Sequence, residues 1–165
     1  MMEIDMNPYL WIGVGYPGVG KSVWIKKNCD IRSTQQIVVL GTDYLIDAHA
    51  LRIGKTYNQV FKDYIDEATS LFFAQVQTAF AANWNVFIDR TNLTVKGRHK
   101  LLSLAPKHYK KLAIVFTCDK EVHDVRLQMR PGKTIPKGVL KSMEESFVYP
   151  TVEEGFDAVQ EIVTG

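Results

Sequence analysis

The stretch Gly15-Tyr16-Pro17-Gly18-Val19-Gly20-Lys21-Ser22 fits the pattern G-x-x-x-x-G-K-[ST] in full. Each part of that pattern has a physical task. Glycines let the backbone wrap so tightly that its N–H groups converge on phosphate oxygens. Lys21 places a positive charge at the β- and γ-phosphates, and Ser22 offers a hydroxyl to Mg2+. A helix beginning here turns the positive end of its dipole toward the same anion. The surroundings agree. Tyr9-Leu10-Trp11-Ile12-Gly13-Val14 is an apolar run of strand character before the loop, and a helix to about Asn28 fits after it. Gly15, Pro17, Gly18, Val19, Gly20, Lys21 and Ser22 are therefore the expected nucleotide-binding set.

Beyond the loop, short apolar runs alternate with helical patterns. Residues 37–40, 86–88, 112–116 and 159–163 read as further strands. Residues 57–83 form the longest helix candidate. Val60, Phe61, Tyr64, Ile65, Leu71, Phe72, Val76 and Phe80 recur there at helical spacing, and the aromatics among them read as core packing. Helices are also expected over 94–104, stopped by Pro106, over 121–129, broken by Pro131-Gly132, and over 136–147, with a proline near the first turn. This alternation predicts an α/β three-layer sandwich around a parallel central sheet of about five strands. With no repeat, low-complexity tract or linker, residues 1–165 read as a single domain.

Composition narrows the class. The 165 residues carry a net charge of +2, with 46% hydrophobic and 23% charged residues, which is ordinary for a globular protein and excludes disorder and collagen. Cys29 and Cys118 are far apart and form no CxxC pair, so a reducing compartment without a cysteine metal site is expected. No apolar run approaches the ~20 residues of a membrane span, and the acidic start Met1-Met2-Glu3-Ile4-Asp5 lacks the basic character of a secretion signal. A cytoplasmic protein without membrane contact is the expectation. Charge is segregated. Between Lys96 and Lys141 stand twelve Lys/Arg against three acids, and from Ser142 to Gly165 stand six acids with no Lys or Arg. That pattern fits solvated helix faces, or a basic stretch that meets polyanions.

Three features bear on which phosphate-loop chemistry is present. No Asn-Lys-x-Asp guanine reader occurs, which disfavours a GTP switch. The strand ending at Asp89 continues as Arg90-Thr91-Asn92, so no second carboxylate adjoins Asp89 to position a water. A transferase is favoured over a hydrolase. Asp43 lies just past residues 37–40, at the strand end where ligands of open α/β sheets bind. It suits a carboxylate that accepts the proton of an attacking hydroxyl, or a helix N-cap. Asp47, in a helix, is the weaker rival. Arg126 and Arg130, four apart on one helix face beside Pro131-Gly132-Lys133, suit a lid at about 126–136 that closes over the transferring phosphoryl group, or a solvated basic face.

Taken together, these residues resemble the polynucleotide 5'-hydroxyl kinases of the bacteriophage type and the kinase domain of polynucleotide kinase-phosphatases. Five pieces match in order: the loop with Pro17; Thr42-Asp43 after a strand; Asp89-Arg90-Thr91-Asn92-Leu93; Arg126 and Arg130 followed by Ile135-Pro136-Lys137-Gly138-Val139-Leu140; and Pro150-Thr151-Val152-Glu153-Glu154-Gly155-Phe156. The resemblance implies a P-loop kinase-like fold with a helical lid. It implies transfer of the γ-phosphate of ATP, or another NTP, to 5'-OH ends of DNA or RNA, as in nucleic-acid end repair. Lys21 would hold the β/γ-phosphates, Ser22 would bind Mg2+, and Asp89 would hold its water shell. Asp43 would be the general base, and Arg126 and Arg130 would contact the nucleotide phosphates. Thr91 and Asn92 would shape the floor of the site, with Arg90 beside the substrate or in a salt bridge. Residues 150–156 are candidates for the neighbourhood of the base. The length leaves no room for the phosphatase or ligase fused in many relatives, so a stand-alone kinase domain is the expectation, in the host cytoplasm if phage-encoded.

One departure concerns the acceptor. Phage members often carry an arginine three residues after the catalytic Asp; here that position is Ile46, leaving Arg52 or the basic Lys96–Lys100 segment as substitutes. The rival readings are a small-molecule P-loop kinase for a nucleoside, nucleotide or sugar, and a nucleotide-binding module without turnover.

Overall fold

The computed structural model describes residues 6–29 and 37–165. Five strands form one sheet: β1 (Tyr9–Val14), β2 (Ile37–Leu40), β3 (Asn85–Asp89), β4 (Lys110–Thr117) and β5 (Ala158–Val163). Their spatial order is β2-β3-β1-β4-β5 and every pairing is parallel. Among the described residues, six α-helices connect or flank them: α1 (Lys21–Asn28), α2 (Thr42–Arg52), α3 (Tyr57–Ala81), α4 (Val95–Leu104), α5 (Lys120–Gln128) and α6 (Lys137–Ser146). This is the P-loop kinase-like α/β fold.

Alternating side chains of each strand serve the two faces of the sheet, as the pleat requires. Leu10, Ile12 and Val14 of β1 join Val86 and Ile88 of β3 and Ala113 and Val115 of β4 on the face covered by α3 and α4. Phe72, Val76, Phe80, Leu101 and Leu102 close that core. On the other face Phe87, Ile114 and Phe116 meet Val19 and Ile25 of the loop and α1. Trp24 packs edge-on to Phe116 at 5.3 Å between ring centres. Of the aromatics and aliphatics assigned to the α3 core, Val60, Tyr64, Phe72, Val76 and Phe80 are buried, but Phe61 and Leu71 remain 40% and 41% exposed because they fall on the outer side of a helix covered on one side only.

Helix α2 is not drawn in full by the sequence pattern, which places only Asp47 in a helix. Its N-cap is Gly41, without a side-chain cap bond, so the usual start signal is missing. Asp43 therefore does not cap this helix; it sits in the first turn. Gly41 is required for another reason: a Cβ at that position would collide with the Asp89 carbonyl. The ends of β2 and β3 thus approach as closely as backbone allows. The lid region is thinly packed. Neither α5 nor α6 buries a residue.

Candidate active site

Lys21, Ser22, Asp43, Asp89, Arg90, Thr91, Arg126 and Arg130 all border one cavity of about 610 Å3 at the carboxyl ends of the strands. The sheet order explains the convergence. β1 lies between β3 and β4, so the loop after β1 stands next to Asp89, and β2 brings Asp43 in from the edge. Pro17, Gly18 and Gly20 border the same cavity, while Gly15 and Val19 build the loop from behind. Gly20 adopts φ 105°, and a side chain there would press on the Arg126 guanidinium and Thr164.

The loop holds a nucleotide-ready shape by itself. Lys21 is buried, and its Nζ donates to the Gly15 and Tyr16 carbonyls at 2.8 and 3.1 Å. Burial pulls its pKa down to about 8; Asp89 and Asp43 oppose that shift and Arg130 adds to it. Arg130 contributes a second cation whose Nη1 is buried without a hydrogen-bond partner among the described residues. An orphaned guanidinium nitrogen beside a buried ammonium is an arrangement that a polyphosphate would satisfy. The residues fit a nucleotide.

They also fit Mg2+. Among the described residues, no three His, Cys, Asp or Glu gather into a metal cluster. Mg2+ does not need one, since it keeps several waters and takes one or two protein oxygens plus phosphates. Ser22 at the start of α1 and Asp89 at the end of β3 border the cavity and carry oxygens of that kind.

Both key carboxylates are held by phenols. Tyr57, at the start of α3, donates to Asp43 Oδ1 at 2.6 Å. Tyr44, one residue after Asp43, donates to Asp89 Oδ2. Burial first, and then the partner carboxylate, pushes each tyrosine pKa above its ordinary value, so both remain donors. Asp47 borders the same cavity but takes a different partner from Asp43. It is engaged by Lys133 of the lid turn, with Nζ 2.6 Å from Oδ2, and that ammonium also lies 4.9 Å from the centre of the Tyr57 ring.

Other expected residues have partners within the protein. Arg126 borders the cavity, but its Nη1 donates to the Val19 carbonyl at 2.9 Å and to Thr164 Oγ1 at 3.0 Å. Helix α5 clasps the loop from outside, with His123 Nε2 donating to the Pro17 carbonyl at 2.7 Å. Arg90, for which an ion pair is the alternative, rests over the Phe72 ring at 4.9 Å. Asn92 does not border the cavity. It is buried at φ 47°, and its Nδ2 donates to the Gly13 carbonyl at 2.8 Å, tying β3 to β1 beneath the floor. The Gly15 N–H donates to the Thr91 carbonyl at 3.0 Å and fixes the loop to the same segment.

Residues 150–156 do not border the cavity either. They form a structural latch. Glu154 receives two bonds from the buried Arg98, at 2.8 and 2.9 Å, and one from the Thr151 N–H. Phe156 enters the core. Arg98 Nη1 donates in turn to the Asn92 carbonyl at 3.0 Å. Of the acceptor-phosphate substitutes, Arg52 turns to His49, 2.8 Å away on its own helix. Ile46 is fully buried.

A family model described as an AAA domain matches residues 10–150. Solved structures share the fold. A protein of the Streptococcus pneumoniae PezAT chromosomal toxin–antitoxin system aligns at a TM-score of 0.72 and 17% identity, over 96% of this chain and 69% of that one. The Pnkp1/Rnl/Hen1 RNA repair complex contributes a chain similar at a TM-score of 0.61 and 24% identity, with 87% of this chain covering 47% of that one. A gluconokinase from Sinorhizobium meliloti aligns at 0.55 and 19% identity, over 94% and 82%.

Proposed function

The chain belongs to the AAA domain family, within the P-loop kinase superfamily, and from that premise we propose that it is a polynucleotide kinase moving the γ-phosphoryl of ATP to the 5'-hydroxyl end of DNA or RNA. The observation that carries the transferase reading is the Asp43 carboxylate. It borders the same cavity as Lys21 and Ser22, and a phenol rather than a cation holds one of its oxygens. Oδ2 is then the oxygen that takes an alcohol proton. Phosphoryl transfer asks the protein mainly for alignment and charge stabilisation. Asp43 orients the hydroxyl and accepts its proton as the new O–P bond to the γ-phosphorus forms and the bond from that phosphorus to the β–γ bridging oxygen breaks, releasing ADP. Lys21 leaves the loop carbonyls for the β/γ-phosphates. Arg130 supplies its unpartnered Nη1 to the phosphoryl oxygens, and Arg126 exchanges the Val19 carbonyl for phosphate as α5 closes. Ser22, and Asp89 through water, would hold a Mg2+ ion, which when bound would supply neutralisation of charge on the phosphates.

The polynucleotide assignment draws on the ordered motif match, the basic segment after Lys96 and the likeness to a chain of an RNA repair complex. A small-molecule kinase is the second reading. It draws on the gluconokinase, 82% of whose chain this one covers. Transfer of labelled γ-phosphate to single-stranded DNA, RNA and nicked duplex, run beside a nucleoside and sugar panel, tests the two. Label on 5'-OH ends, abolished in Asp43→Ala with ATP affinity retained, is the expected result. Label on sugars alone gives the second reading.

A further inference from the structure

Helix α4 has a use that the chemistry above leaves open. It contains no acid, and Lys96 and Lys100 stand exposed one turn apart. With Thr94, His99 and Ser103 they border a second, shallow cleft of about 640 Å3. A lysine of that cleft and an arginine of the nucleotide cavity share one aromatic ring. The Lys100 ammonium lies 4.0 Å from the centre of the Phe73 ring, and the Arg90 guanidinium lies 5.8 Å from the same centre while bordering the nucleotide cavity. On α3 the residues one turn either side of Phe73 are Thr69, Ser70, Val76 and Gln77, none of them charged. The next acid on that face, Asp66, stands two turns away.

We infer that the α4 cleft, joined to the nucleotide cavity through Arg90, Phe73 and Lys100, holds the backbone of a single-stranded acceptor behind its 5' end. This rests on the polynucleotide reading above and names how the site grips its substrate. The spacing suits a phosphodiester chain. Four helical residues rise ~6 Å, so Lys96 and Lys100 serve successive or alternate phosphates of one strand. Arg90 takes the phosphate nearest the cavity, and the two lysines follow it outward. The contacts are to backbone, so they add affinity without base preference.

The test compares a 5'-OH dinucleotide with a 5'-OH oligothymidylate of about twelve nucleotides, a length that spans a single-strand site. The variants are Lys96→Ala/Lys100→Ala and, as control, Lys107→Ala, an exposed lysine outside both cavities. Transfer kinetics and fluorescence anisotropy of the same oligothymidylate are read over a salt series. In the double variant KM for the long acceptor rises roughly tenfold with kcat and ATP KM unchanged. Its salt slope falls by ~1.4, the effect of two phosphate contacts on a single strand. The dinucleotide and the control variant keep wild-type values. An unchanged KM and slope for the long acceptor would overturn the path and leave the kinase reading standing. So would equal losses on both acceptors, which indicate local damage. If label reaches sugars and no polynucleotide, the reading falls and the path with it. If the oligothymidylate binds no better to wild type than to the double variant, the path fails whatever the turnover.

Discussion

Substituting Glu154 by Ala removes the counter-ion from a guanidinium that has no access to water. The Arg98 side chain is 0% exposed, and it spends two bonds, at 2.8 and 2.9 Å, on the Glu154 carboxylate. Its third, at 3.0 Å, goes to the Asn92 carbonyl and remains. Removing one partner of a buried pair costs ~3–5 kcal/mol, because the other charge stays behind. For a chain of this size each kcal/mol moves the midpoint by roughly 2–4 °C. Glu154→Ala should therefore melt ~6–20 °C below wild type. Replacing both members by apolar residues, Arg98→Met with Glu154→Leu, should recover most of that loss, since no charge is stranded. The damage also has a direction. Arg98 holds the Asn92 carbonyl and Asn92 holds Gly13 at the foot of the phosphate loop, so Glu154→Ala should also bind nucleotide more weakly at temperatures where it remains folded. Thermal melts with and without MgATP, together with urea titrations, measure both effects. A midpoint within about 2 °C of wild type, below the smallest shift expected from these magnitudes, would refute the latch. So would a double variant no more stable than the single one. Acid gives an independent check. Burial raises the Glu154 pKa, but the bonds from Arg98 and the Thr151 N–H and the Arg98 charge outweigh it, leaving the group below its ordinary 4.5. A carboxylate depressed on folding stabilises above its unfolded value and loses that contribution as pH falls through the folded one. The advantage of wild type over Glu154→Gln should shrink as pH drops below 4.5.

Lys21, with a pKa near 8 before ligand binds, must be charged to hold phosphate. ATP affinity should fall up to tenfold per pH unit above 8, and calorimetry in two buffers of different ionisation enthalpy should register proton uptake on binding; pH-independent binding up to 9.5, about one and a half units above the lysine value, would exclude that linkage. Tyr57→Phe removes the donor on Asp43 Oδ1 and should lower kcat about tenfold, a charge-assisted bond's worth, with ATP KM unchanged; a change confined to ATP KM would place Tyr57 elsewhere in the chemistry. Arg126→Ala and Arg130→Ala should each slow turnover at least about tenfold, and full rates in both would reduce them to surface charges. Gly41→Ala should destabilise by ~1–3 kcal/mol through the clash with the Asp89 carbonyl, visible as a lowered urea midpoint.

The sequence was legible where local physics and function coincide. The phosphate loop requires glycines, a lysine and a hydroxyl in a fixed order, and no other local structure needs that set. The strands were legible as short β-branched runs bounded by turns. What stayed hidden depends on distant residues. Tyr57 meets Asp43 across 14 positions and Tyr44 meets Asp89 across 45, separations that no helical or strand period encodes. Helix α2 was obscured because glycine stands at its cap, where close backbone contact with β3 overrides capping chemistry. Asn92 shares a segment with cavity residues yet turns under the floor, since its left-handed backbone aims the amide at Gly13. The 150–156 close was visible as a pattern, but its role needed the buried Arg98 from another helix.

The two phenol bonds yoke the acids mechanically. Tyr44 rides on α2 and grips Asp89 of the sheet, while Tyr57 reaches from α3 to Asp43 of α2. In the proposed kinase, any tilt of α2 would drag the acceptor side and the metal side of the centre together. Changes on the outer surface of that helix, remote from every phosphate, would then be felt as simultaneous loss of metal response and of alcohol alignment rather than of either alone.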